Sequence, residues 1–253
     1  MSIPVAVQLY TLRDLIARDF LGTCRSVAKM GYKGVELVDT RSILTAANLK
    51  KEMAAMGLAM AGVHVGIEQL ESNLDAVAAY YGEAGVSHLV CPYMPDTRRK
   101  TADDWKKQAK ILATIGSQLR TKGFTFCYHN HDFEFQKLGG TTGWDILFSG
   151  ADTQNLACEL DVYWVQFAGE NPVTLMHKLS GRLPLLHCKD MAAGPERKFA
   201  PVGSGILDWK GIFAAAGKAG VKWYLVEQDS CYETPPLEAV RTSLENLKKM
   251  GIA

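Results

Sequence analysis

Short apolar runs alternate with longer amphipathic stretches along the whole chain. Val5-Ala-Val-Gln8 reads as a strand, and 19–30 as a helix that Gly31 ends. Gly34-Val-Glu-Leu-Val38 is the next strand, followed by a helix over 46–56 with Gly57 behind it. A strand over 58–65, a helix over 70–84 closed by Gly85, a strand over 88–91 and a long helix over 102–122 continue the rhythm. Strands over 124–129, 156–161, 183–187 and 223–227 then alternate with helices over 144–148, 172–179, 209–219 and 236–250. A glycine just past a helix end supplies the left-handed conformation that closes it. Short apolar strands separated by helices predict a parallel sheet buried on both faces. Eight such units in 253 residues predict an α/β fold, a (β/α)8 TIM barrel, as one domain over 1–253. The stretches 139–143 and 193–198 read as loops between a strand and its helix. A doubly wound open sheet is the alternative, but no GxGxxG follows the first strand.

Composition changes this picture little. The chain is 47% hydrophobic and 22% charged, ordinary for a globular domain with a sizeable core. Twenty-eight basic residues face 27 acidic ones, a net charge of +1, so no strong positive field favours nucleic acid. No apolar run approaches the roughly 18 residues a membrane span needs. The N-terminus lacks a basic segment followed by a long apolar one, and a cytoplasmic location is the default expectation. Six cysteines are scattered without a CxxC pair and read as small buried hydrophobes in a reducing compartment.

The polar residues carry the chemistry. In a barrel, catalytic groups sit at the carboxyl ends of strands. Here those positions hold Gln8, Glu36, His64, Cys91, His129, Asp161, His187 and Glu227, spaced 26 to 40 residues apart, one strand–helix unit each. A charged residue in an apolar strand is costly unless it is paired, and residues on different strands can pair only by converging on one rim. Convergent carboxylates and imidazoles make a metal site or an acid/base site. Without thiolates, the set suits Mn2+, Mg2+, Co2+ or Zn2+. Cys188 neighbours His187, so strand alternation turns it away. His64 reads either as a rim group or as a satisfied core histidine, and Lys189-Asp190 either as rim groups or as a plain ion pair. His88 and His177 read as structural. Gly203-Ser-Gly205 lacks the Lys-Ser/Thr ending of a phosphate loop.

These residues resemble those of the xylose-isomerase-like sugar isomerases and epimerases, a superfamily that includes inosose dehydratases and endonuclease IV. The carriers are Gly34-Val-Glu36, Tyr128-His-Asn-His131 with Phe133-Glu-Phe135, Leu160-Asp-Val-Tyr-Trp164, Leu186-His-Cys-Lys-Asp190, Val202-Gly-Ser-Gly-Ile-Leu-Asp-Trp209 and Val226-Glu227. The resemblance implies one divalent metal held by Asp161, His187 and Glu227. Many members have a strand-five glutamate where this chain has His129, so the fourth ligand is either His129 or a Glu134 that reaches back. Glu134 completes the usual set of three carboxylates and one imidazole, and is the expected ligand.

The same resemblance implies a metal-polarised carbonyl and an enediolate formed by loss of the neighbouring proton. Glu227 is then ligand and base. His64, His129, His131 and Lys189 are candidates for second base, acid or hydroxyl recognition. Glu36 binds substrate or orients a rim lysine, and Trp164 supplies an apolar wall for a sugar ring. The expected activity is a sugar or keto-sugar isomerase or epimerase. A lyase or dehydratase on a keto-sugar, keto-glycoside or keto-inositol uses the same site and is the runner-up. An endonuclease is disfavoured by the near-neutral charge, and a non-catalytic sugar-binding barrel by Asp161, His187 and Glu227. The expected partner is a small carbohydrate, not nucleic acid or a membrane, with homo-oligomerisation open.

Overall fold

A computed structural model describes residues 2–150 and 154–253; Met1 and 151–153 lie outside the described residues. Eight parallel strands close into a barrel. They are β1 (Val5–Gln8), β2 (Gly34–Leu37), β3 (Ala59–His64), β4 (His88–Cys91), β5 (Thr125–His129), β6 (Ala157–Asp161), β7 (Leu185–Cys188) and β8 (Trp223–Val226). Each pairs with its neighbour in sequence, and β8 pairs with β1. The helices that follow are α1 (Phe20–Met30), α2 (Ala46–Ala55), α3 (Leu74–Ala84), α4 (Ala102–Thr121), α5 (Gly143–Gly150), α6 (Pro172–Lys178), α7 (Trp209–Ala219) and α8 (Pro236–Lys249). The predicted (β/α)8 barrel is the observed fold.

One helix differs from expectation. The stretch before β4 is two helices, Ile67–Ser72 and α3, broken at Asn73, whose φ of −136° leaves the helical region. The two glycine-bearing loops are each tied at the base by a short antiparallel ribbon, Lys137–Leu138 with Thr141–Thr142 and Asp190–Met191 with Phe199–Ala200. Among the described residues no helix is long and apolar enough to cross a membrane.

The barrel interior has two floors. The lower is apolar: Ala6, Ala61, Val90, Cys127, Leu185 and Leu225 pack together on its axis. Two residues further along several of these strands the same face turns polar, with Gln8, His129, His187 and Glu227. A register shift between Val35 and Glu36 sets Glu36 opposite Gly62 on β3. Gly62 is required there, because a Cβ would lie 2.7 Å from Glu36 Oε1. Cys91 and Cys188, by contrast, belong to the outer core between barrel and helices.

Candidate metal centre

The upper floor is a connected network of imidazoles and carboxylates. Glu36 Oε2 accepts from Gln8 Nε2 at 2.7 Å and lies 2.8 Å from His187 Nε2. Glu159 Oε2 lies 2.7 Å from His64 Nε2, 3.0 Å from His129 Nδ1 and 3.1 Å from His187 Nε2. His64 Nε2 is also 3.3 Å from Glu36. The His64 and His187 rings stack, 5.5 Å apart. The other nitrogen of His187, Nδ1, lies 2.8 Å from Glu227 Oε2, and His129 Nε2 lies 3.6 Å from Asp161 Oδ2.

Local structure fixes Asp161. Its backbone N–H donates to Asn130 Oδ1 at 2.9 Å, which ties the ends of β5 and β6 together. Its Oδ1 caps the short helix Val162–Phe167 by accepting from the Tyr163 and Trp164 amides. Oδ2 is left over: it is buried and makes no hydrogen bond of normal geometry. The Lys189 ammonium stands 2.9 Å from it, 2.8 Å from Glu227 and 2.7 Å from Asp229.

These groups hold each other's charge. Burial would raise the Glu36 carboxyl, but the charge of His64 and hydrogen bonds from His187 and His64 hold it well below the ordinary range. Glu159 shifts upward, through burial and the adjacent Glu36 charge, against the pull of His187 and His64. Burial lifts Asp161 to about 6 although Lys189 opposes it. Against the same burial, Lys189 and His187 keep Glu227 depressed. Burial disfavours the His64 cation, but Glu36 and Glu159 outweigh it and raise His64 to about 10. His129 goes the other way: burial and the positive charges around it keep its imidazole neutral. His131 falls to about 3, by burial and then by Lys189.

Two sets of four residues place their ligand atoms within 4.8 Å of one another: His129, Asp161, His187 and Glu227, and beneath them His64, His129, Glu159 and His187. The upper set fits a divalent metal. It offers two carboxylates, two imidazoles, an oxygen on Asp161 without a hydrogen bond, and a neutral His129; against burial, Glu159 and Glu227 raise His187, whose Nδ1 proton a bound metal would displace. Glu36 and Glu159 lie on the far nitrogens of the imidazoles, where carboxylates orient metal-binding histidines.

The expected fourth ligand is not part of this set. Glu134 turns away: its Oε1 accepts from Tyr128 Oη at 2.7 Å and its Oε2 from the His131 amide at 2.8 Å. The short 3-10 turn Phe133–Phe135 folds its side chain back under the strand-five loop, where burial raises it to about 8. His129 stands in its place. Glu36, expected at the substrate, is fully buried beneath the imidazoles, and among the described residues no rim lysine pairs with it.

A cavity of about 490 Å3 opens above the network. Its polar lining is His64, His129, His131, Lys189, Glu227 and Asp229, and its apolar lining is Tyr10, Val38, Pro92 and Tyr93. Trp164 stands behind this lining, its ring 5.4 Å from His131 and 5.9 Å from the Lys189 ammonium. The apolar wall expected of it is furnished by Tyr10 and Tyr93. A more open hollow beside Arg41, Thr45 and Glu83, about 610 Å3, holds none of these groups.

Sequence reasoning passed over Glu159, Asp229, Tyr10 and Tyr93. Three had a signal. Glu159 precedes Asp161 by two, hence shares its face. Asp229 and Tyr10 follow the inward-facing Glu227 and Gln8 by two, past the strand end but still at the mouth; Tyr93 follows the outward-facing Cys91, and alternation offers no signal for it.

Comparison with known proteins agrees with this architecture. The chain is 26% identical over 146 residues to an inosose dehydratase of Lacticaseibacillus casei, an alignment covering 51% of this chain and 48% of that protein. The chain therefore spans about half the length of the curated relatives it matches. A solved sugar phosphate isomerase/epimerase from Parabacteroides distasonis superposes with a TM-score of 0.85 at 24% identity, covering 98% of this chain and 94% of that one. The solved IOLI protein with a binding zinc atom superposes with a TM-score of 0.75 at 13% identity, covering 97% of each. Both likenesses concern the fold. Residues 24–250 match the family of xylose isomerase-like TIM barrels, and the chain belongs to that family.

Proposed function

We propose that this chain is a divalent-metal-dependent enzyme that removes a proton next to the carbonyl of a keto-sugar or keto-polyol. The observation that carries the reading is the convergence of His129, Asp161, His187 and Glu227 within 4.8 Å under a cavity lined by further proton-transferring groups. A bound divalent ion supplies positive charge beside the reacting carbonyl, which acidifies the neighbouring C–H. Glu227, held ionised by Lys189 and His187, is the base that faces the cavity. Lys189 and His64 present N–H groups to the same space and can pass a proton to a departing or returning oxygen. Tyr10, Val38, Pro92 and Tyr93 form the apolar side on which the C–H face of a ring rests, and keep water from the polar floor.

Isomerisation, epimerisation and elimination share this first step. Elimination of water or of an aglycone has a specific observation in its favour. Epimerisation at one carbon needs a base on each face of the substrate. Both carboxylates that line the cavity, Glu227 and Asp229, lie at the end of β8, and Glu134 is folded away from the opposite side. The opposite side offers His129 and His131, both held neutral with low basicity. One base and one N–H donor suffice for elimination. The inosose dehydratases among the curated relatives point the same way.

The test is incubation of the Mn2+-loaded protein with scyllo-inosose, 3-keto-glycosides and ketohexoses in D2O, followed by NMR. Loss of water or aglycone is expected. Deuterium wash-in with no elimination assigns the isomerase or epimerase reading instead. Protein that binds no divalent ion and exchanges no proton refutes both.

A further inference from the structure

The neutral His129 stands where a carboxylate ligand is expected, and that exchange removes one negative charge from the ligand set. The acid of the neighbouring strand β6 lies against His129. Glu159 Oε2 is 3.0 Å from His129 Nδ1, and Glu159 is the only hydrogen-bond partner of that imidazole among the described residues. With Nδ1–H donating to Glu159, the lone pair of His129 sits on Nε2, the nitrogen on the Asp161 side of the ring. The reversed tautomer would set a lone pair against a carboxylate oxygen. A carboxylate on the far nitrogen also makes an imidazole a more basic ligand.

His187 does not depend on Glu159 in the same way. Its Nε2 has Glu36 Oε2 at 2.8 Å as well as Glu159 at 3.1 Å. His64 is the remaining neighbour of Glu159, at 2.7 Å, and is not in the proposed ligand set. Among the ligands, loss of the Glu159 acceptor should therefore fall first on His129.

We propose that Glu159 and His129 act as one unit, in which Glu159 Oε2, ringed by the nitrogens of His64, His129 and His187, is the acceptor that fixes the His129 tautomer and aims its Nε2 at the other ligands, so that Glu159 is a positioning residue. The proposal rests on the reading of His129, Asp161, His187 and Glu227 as a metal centre. A glutamate at the end of β5 would set a second carboxyl group against Glu159, an arrangement that disfavours ionising both.

Zn2+ is the probe, its dissociation constant measured by competition with a chromophoric chelator. Glu159→Gln is expected to weaken Zn2+ by about 10–100-fold while leaving the circular dichroism spectrum unchanged. His129→Glu alone is expected to weaken it as well, through repulsion from Glu159. The double variant, Glu159→Gln with His129→Glu, is expected to bind Zn2+ at least about tenfold tighter than His129→Glu alone, a coupling that unrelated sites do not show. A structural role for Glu159 predicts additive losses. Additive losses, or Glu159→Gln with wild-type affinity, overturn the proposal. A measurement on the wild type guards against misfolded variants: 15N NMR of the Zn2+ form is expected to show His129 protonated at Nδ1 and metallated at Nε2, and the opposite assignment overturns it. Wild-type protein that takes up no Zn2+ refutes the metal centre itself, and the proposal falls with it.

Discussion

Lys189 is the cation in contact with the carboxylates of the proposed metal centre, and its removal should cost much more without metal than with it. Its side chain is 1% exposed and its ammonium lies within 3 Å of Asp161, Glu227 and Asp229. Asp161 and Glu227 are nearly inaccessible to water, whereas Asp229 is about one quarter exposed and partly screened. The energetic weight therefore sits on the first two. Replacing Lys189 by methionine keeps the side-chain bulk and leaves two buried acids without their counter-charge. Breaking a buried pair in this way costs about 3–5 kcal/mol. For a domain of this size each kcal/mol moves the midpoint by roughly 2–4 °C, so the metal-free variant should melt about 10 °C below wild type. A divalent ion on the same carboxylates supplies the missing charge and no longer competes with the ammonium. In saturating Mn2+ the deficit should shrink to a few degrees at most, roughly the effect of 1 kcal/mol. Thermal melts of wild type and Lys189→Met, each in EDTA and in Mn2+, give the four midpoints. An equal deficit in both conditions would mean that the ammonium and the ion do not share Asp161 and Glu227, and would refute the reasoning.

Two further outcomes follow from groups outside the ligand set. Burial raises Glu134 to about 8, so between the ordinary carboxylate range and that value the folded protein holds a proton the unfolded chain has released. Stability should accordingly fall by up to about 1.4 kcal/mol per pH unit as pH rises through that window. Glu134→Gln should flatten this slope in urea melts at pH 5, 7 and 9, and parallel slopes for both proteins would contradict it. Asp190 accepts from the Met191, Gly203, Gly205 and Leu207 amides and from Trp209 Nε1, pinning the loop after β7. A Cβ on Gly205 would collide with its carboxylate. Asp190→Asn turns an N–H toward some of these donors at about 1–3 kcal/mol for each one left unpaired. The Gly203 and Gly205 amides should then exchange with D2O much faster, and unchanged exchange would show that the loop is held by other means.

The barrel was legible because two independent signals agreed. Apolar runs of strand length recurred with helices between them, and the polar residues that closed those runs recurred at the same interval. Strand alternation also separated His187 and Lys189, which face inward, from Cys188, which packs outward. A strand end offers more than one inward position. Asp161 and Glu159 both lie on the inner face of β6, whereas Cys91, the last residue of β4, packs between barrel and helices. The helix break at Asn73 and the fold-back of Glu134 were illegible for a different reason. Each depends on a turn whose partners, such as Tyr128 Oη and the His131 amide for Glu134, exist only once the loop has closed.

Glu134 shows why a count of ligands by residue type is a weak guide. Three carboxylates and one imidazole is the set the family resemblance implies. The proposed centre has a different make-up. It places a neutral imidazole at the end of β5 and sets the acid one layer lower, on β6, where it also faces His64 and His187. That acid is fully buried and absent from the cavity lining. Two carboxylates at the end of β8, an ammonium between Asp161, Glu227 and Asp229 and, among the described residues, no carboxylate on the facing cavity wall together make a one-sided site. One-sidedness suits a reaction in which a proton leaves one carbon and a leaving group departs from the next, more than one in which a proton is returned to the opposite face.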